Sequence, residues 1–252
     1  MQSFHSAGSL GYIHRMFTFH PLPALLRSVK ARPMNCHAFI LGSARLQAMG
    51  SGALYWAEED LLLVSDLHFG KSERLARRGG SLLPPYETRD TLTRLEADLN
   101  TTGAARVICL GDSFDDAEAV LSANELSWLT RLMSGRDWTW VLGNHDPAPM
   151  GVGGTHLPQV EVGPIVLRHI AAGTGQEVSG HYHPKARLAG MARPCFLIDR
   201  RHVIMPAYGT YTGGLWCHDE VLDAMMGDGA IAVLTGPRPV AFPLRTRGSR
   251  RA

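Results

Sequence analysis

Five segments of this chain share one design: a short strand-like run that stops abruptly on Asp, Asn or His. They are Ser65-Asp66-Leu67-His68, Gly111-Asp112, Gly143-Asn144-His145-Asp146, Arg168-His169 and Gly180-His181-Tyr182-His183. The runs that feed them are Leu61 to Ser65, Val107 to Leu110, Trp138 to Leu142, Ile165 to Arg168 and Glu177 to Ser179, each of strand length. Rigid strands aim the side chains at their ends toward a common point, and ligands of open sheets collect there. The adjoining glycines let the backbone turn sharply and approach a ligand closely. A chain built this way must fold so that several strand ends converge.

Taken singly, each segment is weak. An Asp at a strand end is usually a turn residue or a helix cap. A His-x-His is more often surface or core than ligand, and Asn144-His145 suits a simple turn. Five of them in one chain are harder to dismiss, because burying many polar groups among apolar strands costs free energy unless they are bonded or metal-bound. Asp66, His68, Asp112, Asn144, His169, His181 and His183 form an oxygen and nitrogen donor set without thiolate. Such a set suits a pair of Mn, Fe or Zn ions rather than a cysteine-based structural zinc. Two cations about 3.5–4 Å apart share a carboxylate, activate a bridging water and clamp the attacking and leaving oxygens of phosphoryl transfer.

The rest of the pattern places these segments in an architecture. Leu92, Leu95 and Leu99 recur at helical spacing within Glu87 to Leu99. Ser122 with Glu125 forms a capping box that opens a helix through about Met133, with Leu126, Leu129 and Leu132 on or near its inner face. Further strands are expected over 195–199, 202–206, 230–235 and 240–244. Strands alternating with helices, followed by mostly strands, predict an α/β fold of two packed sheets with helices outside.

A single domain is expected over residues 38–245, with 1–37 a poorly ordered extension and 246–252 a basic tail. No acid precedes Glu58, whereas five basic residues do, and the start lacks the compact apolar stretch and cleavage site of a targeting peptide. Met34 is an alternative start. No apolar stretch nears the ~18 residues of a membrane span, and the four cysteines form no metal-type or CxxC spacing. Cys109 and Cys195 read as inert core residues of a reducing, cytoplasmic compartment. The net charge of +2 selects no partner.

In this order the motifs DxH, GD, GNHD, H and GHxH resemble those of the calcineurin-like metallophosphoesterase superfamily, over roughly residues 38–245. The resemblance implies a four-layer α/β/β/α sandwich of two mixed sheets. It implies one metal held by Asp66, His68, Asp112 and His183, and a second held by Asn144, His169, His181 and a bridging Asp112. His145 would protonate the leaving oxygen and Asp146 would orient His145, a sensible role for a side chain titrating near working pH. Narrower signals are Leu67 to Ser72, Arg77-Arg78-Gly79, Leu83-Pro84, His181 to Pro184, Pro194-Cys195-Phe196 and Pro206 to Gly214. They are similar to those of the bacterial ligase-associated DNA damage response endonucleases. That likeness implies a DNA phosphodiester substrate, manganese as the first choice of metal, and a DNA ligase, exonuclease and helicase as partners of one repair system. The alternative is a phosphatase or phosphodiesterase of nucleotides or other small esters. A non-catalytic scaffold is disfavoured, since every ligand and His145 is present.

Several positions stay open at this level. Arg77 and Arg78, with Lys71 and Arg74, either line a phosphate track or form a solvated helix face. Arg168 either touches a phosphate or makes an ion pair. Tyr182, Tyr208 and Tyr211 either stack on bases or pack. Asp115 departs from the family, where a His often stands, and adds negative charge beside the metals.

Overall fold

The computed structural model describes residues 35–79, 84–116, 121–144 and 152–244. His145 and Asp146, Leu83, residues 1–34 and the tail after Leu244 lie outside the described residues.

Two mixed sheets and four helices make up the described part of the chain, an α/β fold. The first sheet runs β1 (Cys36–Leu41), β2 (Ala44–Met49), β3 (Leu54–Trp56), β4 (Leu61–Val64), β5 (Arg106–Leu110), β6 (Asp137–Val141) and β7 (Thr155–Leu157), in that spatial order. The meander β1 to β4 is antiparallel, and β4 to β7 are parallel. The second sheet contains β8 (Gln159–Val162), β9 (Ile165–Arg168), β10 (Gln176–Ser179), β11 (Lys185–Leu188), β12 (Met191–Ile198), β13 (His202–Ile204), β14 (Ile231–Leu234) and β15 (Val240–Pro243). Its order is β15-β14-β12-β13-β10-β9-β8, with β11 paired to β12. Between the strands lie α1 (Lys71–Arg77), α2 (Glu87–Thr102), α3 (Ala123–Met133) and α4 (Glu220–Met225).

The layering follows from the two-residue period of strands. In β4, Leu61 and Leu63 point into the core between the sheets, whereas Leu62 and Val64 point toward the helices. In β5, Ile108 and Leu110 take the inner side and Val107 and Cys109 the helix side. That is why these runs are apolar throughout: parallel strands are covered on both faces. Leu92, Leu95 and Leu99 of α2, with Leu129 and Leu132 of α3, close the outer side of the first sheet. On the second sheet, Phe196 and Ile198 face inward while Cys195 and Leu197 meet Leu222 of α4. The four-layer order helix, sheet, sheet, helix is the result.

The helices end where their sequences say they should. Ser122 accepts from Glu125 N, and the Glu125 side chain returns to Ser122, completing the capping box. Gly103, at φ 67°, stops α2 in the left-handed conformation that glycine tolerates. One expectation fails here: Leu126 is exposed rather than inward. The buried face of α3 starts a turn later, at Leu129 and Leu132, with half-buried Trp128 donating to Glu96 of α2. Strand β1 also begins at Cys36, ahead of the expected start at residue 38.

Candidate metal centre

The site forms where the loops after β4 and β5 run side by side beyond the last regular strand pair. Asp66 N donates to the Gly111 carbonyl at 3.2 Å, His68 N to that of Asp112 at 3.0 Å, and Phe69 N to that of Ser113 at 3.0 Å. This ladder forces unusual backbone. Eight non-glycine residues have positive φ among the described residues, and five of them are expected ligands: Asp66, His68, Asp112, His181 and His183. Each such residue costs about 1–3 kcal/mol and persists only where its surroundings over-determine it.

Two motif glycines are required by close approach. A Cβ on Gly111, at φ 78°, would stand 2.4 Å from the His169 ring. A Cβ on Gly180 would stand 2.5 Å from Asp66 Oδ2 and 1.7 Å from Ser65 Oγ.

Two groups of side chains converge. Asp66, His68 and His183 form the first, with His183 Nε2 3.1 Å from Asp66 Oδ1 and 3.4 Å from His68 Nε2. Asp112, His169 and His181 form the second. His169 Nε2 lies 3.3 Å from Asp112 Oδ2, 3.2 Å from His181 Nδ1 and 2.9 Å from Asn144 Oδ1. Asp66 ties the groups together, since its Oδ2 accepts from His181 N at 3.0 Å. All seven ligands expected from the sequence therefore sit in one of two adjoining clusters.

Hydrogen bonding says what belongs between them. His169 Nδ1 faces the Leu110 carbonyl at 2.8 Å, and a carbonyl only accepts, so Nδ1 carries the proton and Nε2 a lone pair. That lone pair meets the Asp112 carboxylate, the Asn144 amide oxygen and His181 Nδ1. An electron-rich cluster of this kind is consistent with a bound divalent cation, and the donor set is one that hard and borderline metals take. Burial would lower the His169 pKa, but Asp112, Asp66 and the Leu110 carbonyl raise it. Burial and the neighbouring His169 lower that of His181, favouring the neutral ligand form. Burial would raise the Asp66 carboxyl, but His183, His169 and the Ser65 hydroxyl hold it below the usual range.

Asp115 turns out to be a partner of a ligand. Its Oδ1 lies 2.8 Å from His68 Nδ1, leaving Nε2 to face His183, and it pairs with Lys71 at 3.7 Å and with Arg74. Those cations compensate the charge that the sequence places beside the His/Asp clusters. Burial would raise the Asp115 carboxyl; His68, Lys71 and Arg74 outweigh it and keep the group ionised. Sequence reasoning missed this role because the partner of Asp115 lies 47 residues upstream, in another loop.

The remaining expected residues are placed as follows. Arg77 pairs with Asp116 at 3.1 Å and Arg78 with the same carboxylate at 3.7 Å. Arg168 lies 3.6 Å from buried Glu177, and with Asn144, Gln159 and His169 it lines an open cleft of about 330 Å³. Tyr208 is a core residue whose hydroxyl donates to Asp98 at 2.8 Å, so its ring offers no platform for a base. Tyr182 and Tyr211 are half-buried, Tyr211 lying 5.8 Å from the Tyr86 ring. Cys109 and Cys195 are buried and in no disulfide, and burial pushes the Cys195 thiol far above its ordinary range.

Among proteins of known structure, the chain is similar to a Pseudomonas putida nuclease, MPE, at 27% identity and a TM-score of 0.65, over 83% of this chain and 100% of that one. No protein-family model matches the chain, and no curated protein does. The nuclease likeness and the paired His/Asp clusters fit a metal-dependent phosphoesterase or nuclease. Among the described residues, no helix is long and apolar enough to cross a membrane.

Proposed function

We propose that this protein is a calcineurin-like, dinuclear metallophosphoesterase that hydrolyses phosphodiester bonds of DNA. The observation that carries this reading is the meeting of His169 Nε2, Asp112, His181 Nδ1 and Asn144 Oδ1 beside the Asp66–His68–His183 group, a geometry that makes sense around cations. Asp66, His68 and His183 would hold one ion, Asn144, His169 and His181 the other, and Asp112 would contribute to both. Manganese is the first choice, with iron and zinc as alternatives. When bound, such a pair lowers the pKa of water and neutralises charge on the phosphoryl group.

The chain's own groups supply the rest. Asp115 and the Leu110 carbonyl fix the tautomers of His68 and His169, so that each presents Nε2 inward. His145 follows Asn144 directly in sequence and donates the proton to the leaving oxygen, with Asp146 orienting it. Arg168 lines the cleft beside Asn144 and His169, with Glu177 3.6 Å away, whereas Arg77 and Arg78 share Asp116 outside that cleft, so Arg168 is the better candidate to touch a phosphate. A DNA substrate would place the protein in cytoplasmic repair beside a ligase, an exonuclease and a helicase.

The test is cleavage of single-stranded DNA, duplex DNA and a nucleoside monophosphate by purified protein with manganese, iron or zinc added in turn. DNA cleavage that requires added metal is expected; turnover of the monophosphate alone would exclude DNA as substrate. His145→Ala should keep both metals and slow turnover about 10²- to 10⁴-fold. Unaltered turnover in that variant would remove His145 from its role.

A further inference from the structure

The cations that the sequence offers a substrate are mostly spent on carboxylates. Lys71 and Arg74 pair with Asp115, and Arg77 and Arg78 with Asp116. A second basic group lies on the other side of the centre and is differently made. Lys185 and Arg187 alternate with buried Ala186 on β11, so both project from one face of the strand. Neither has a carboxylate within ion-pairing distance among the described residues. Both lie over the ring of Trp216, Lys185 Nζ at 4.9 Å and the Arg187 guanidinium at 5.3 Å from its centre.

The backbone holds this group in place. Lys185 N donates to the Leu215 carbonyl at 2.9 Å and Cys217 N to that of Lys185 at 2.8 Å, which locks Trp216 beside the strand. Trp216 stays half-buried, and exposed His218 lies nearly parallel to it, 6.2 Å away at 18°. The group is continuous with the metal centre. A cleft of about 130 Å³ is lined by both the expected ligand His183 and Lys185, with Ala192, Arg193, Pro194, Ala207 and Gly213 among its other walls. Two cations on an aromatic ring, one of them sharing a narrow, mostly apolar cleft with an expected metal ligand, match a chain of alternating phosphates and planar bases. Single strands are bound by that combination of charge and stacking surface.

We propose that Lys185, Arg187 and Trp216 form the subsite for the polynucleotide strand flanking the scissile bond, phosphates on the two cations and a base against the indole. The proposal rests on the polynucleotide phosphodiesterase reading above and adds the residues that grip the substrate beyond the reacting phosphate. Arg187 is the most exposed of the three and tolerates substitution best, so it leads the test.

Wild type, Arg187→Glu, Arg187→Lys, Lys185→Ala/Arg187→Ala and Trp216→Ala are compared for metal content and for steady-state kinetics on a single-stranded oligonucleotide. The same set is run on bis(p-nitrophenyl) phosphate, which is too small to reach the subsite. Arg187→Glu should raise KM for the oligonucleotide at least ~10-fold, with Arg187→Lys close to wild type. The double variant should lower the salt dependence of oligonucleotide binding by about 1.4, or ~0.7 per lost phosphate contact. Trp216→Ala should weaken binding roughly 5- to 150-fold, the range for one stacked base. Each loss should be clearly larger on the oligonucleotide than on the small diester. Equal losses on both substrates, or wild-type KM and salt dependence in all variants, would overturn the subsite and leave the phosphodiesterase reading standing. A wild-type enzyme that hydrolyses the small diester but no polynucleotide refutes the substrate reading, and the subsite with it.

Discussion

Replacing Asp115 by Asn tests whether the centre depends on a residue that coordinates nothing. The carboxylate is about 1% exposed, lies 2.8 Å from His68 Nδ1 and is paired with Lys71 and Arg74. Asn keeps the shape and removes the charge. A neutral oxygen accepts from His68 more weakly than an ionised one, roughly halving the bond. The loss of a negative group also leaves Lys71 and Arg74 uncompensated near an incoming cation. Partners of this kind to a ligating His are worth about 10- to 100-fold in metal affinity, or about 1.4–2.7 kcal/mol. The control is Asp116→Asn, whose partners include Arg77 and Arg78 at the exposed end of α1. Such surface pairs are worth about 0–1 kcal/mol. Manganese binding measured by titration calorimetry on chelator-stripped protein should weaken 10- to 100-fold for Asp115→Asn and stay near wild type for Asp116→Asn. Equal behaviour of the two variants would refute the orienting role of Asp115.

Gly111→Ala should empty the Asp112–His169–His181 group, because the added carbon must stand 2.4 Å from the His169 ring in a left-handed conformation; metal analysis should find close to one ion fewer, and full occupancy would contradict this. Saturating manganese should raise the melting temperature of stripped protein, with about 2.7 kcal/mol gained at a free concentration one hundred times Kd; calorimetry showing no shift would argue against a metal site. Away from the centre, burial would raise the Asp199 carboxyl, but the backbone N–H groups of Gly227, Arg201 and His202 outweigh it and lower its pKa. A depressed folded pKa means stability that is complete above the unfolded value of about 3.9 and lost as pH falls through the folded one. The melting-temperature gap between wild type and Asp199→Asn should therefore be widest near neutrality and narrow on acidification; a constant gap would rule out this linkage.

Much of the centre was legible before folding because its determinants are local. A run such as Leu61 to Val64 specifies a strand buried on both faces, and the residue after it then has to emerge at the strand's end, so Asp66 and His68 could be read as a pair. The same holds for Asp112 after β5 and for His181 and His183 after β10. Likewise Ser122 and Glu125 sit within one helical turn, and the capping box they announce is the one that forms. The short elements α1, β7, β8 and α4 were less visible, because three to seven residues at a half-exposed edge carry too few periods of apolar pattern to stand out.

What the amino-acid sequence determined by itself is the order of strands and helices and the donor types at their ends, since both follow from the periodicity and chemistry of neighbouring residues. Tertiary structure decided which charges remain for use. Asp115 and Asp116 partly compensate the basic turn at Lys71 to Arg78, while Lys185 and Arg187, on a strand paired with the Trp216 loop from 31 positions away, meet no carboxylate among the described residues. Charge compensation acts through space over a few ångströms, so its pairings are set by how the layers stack.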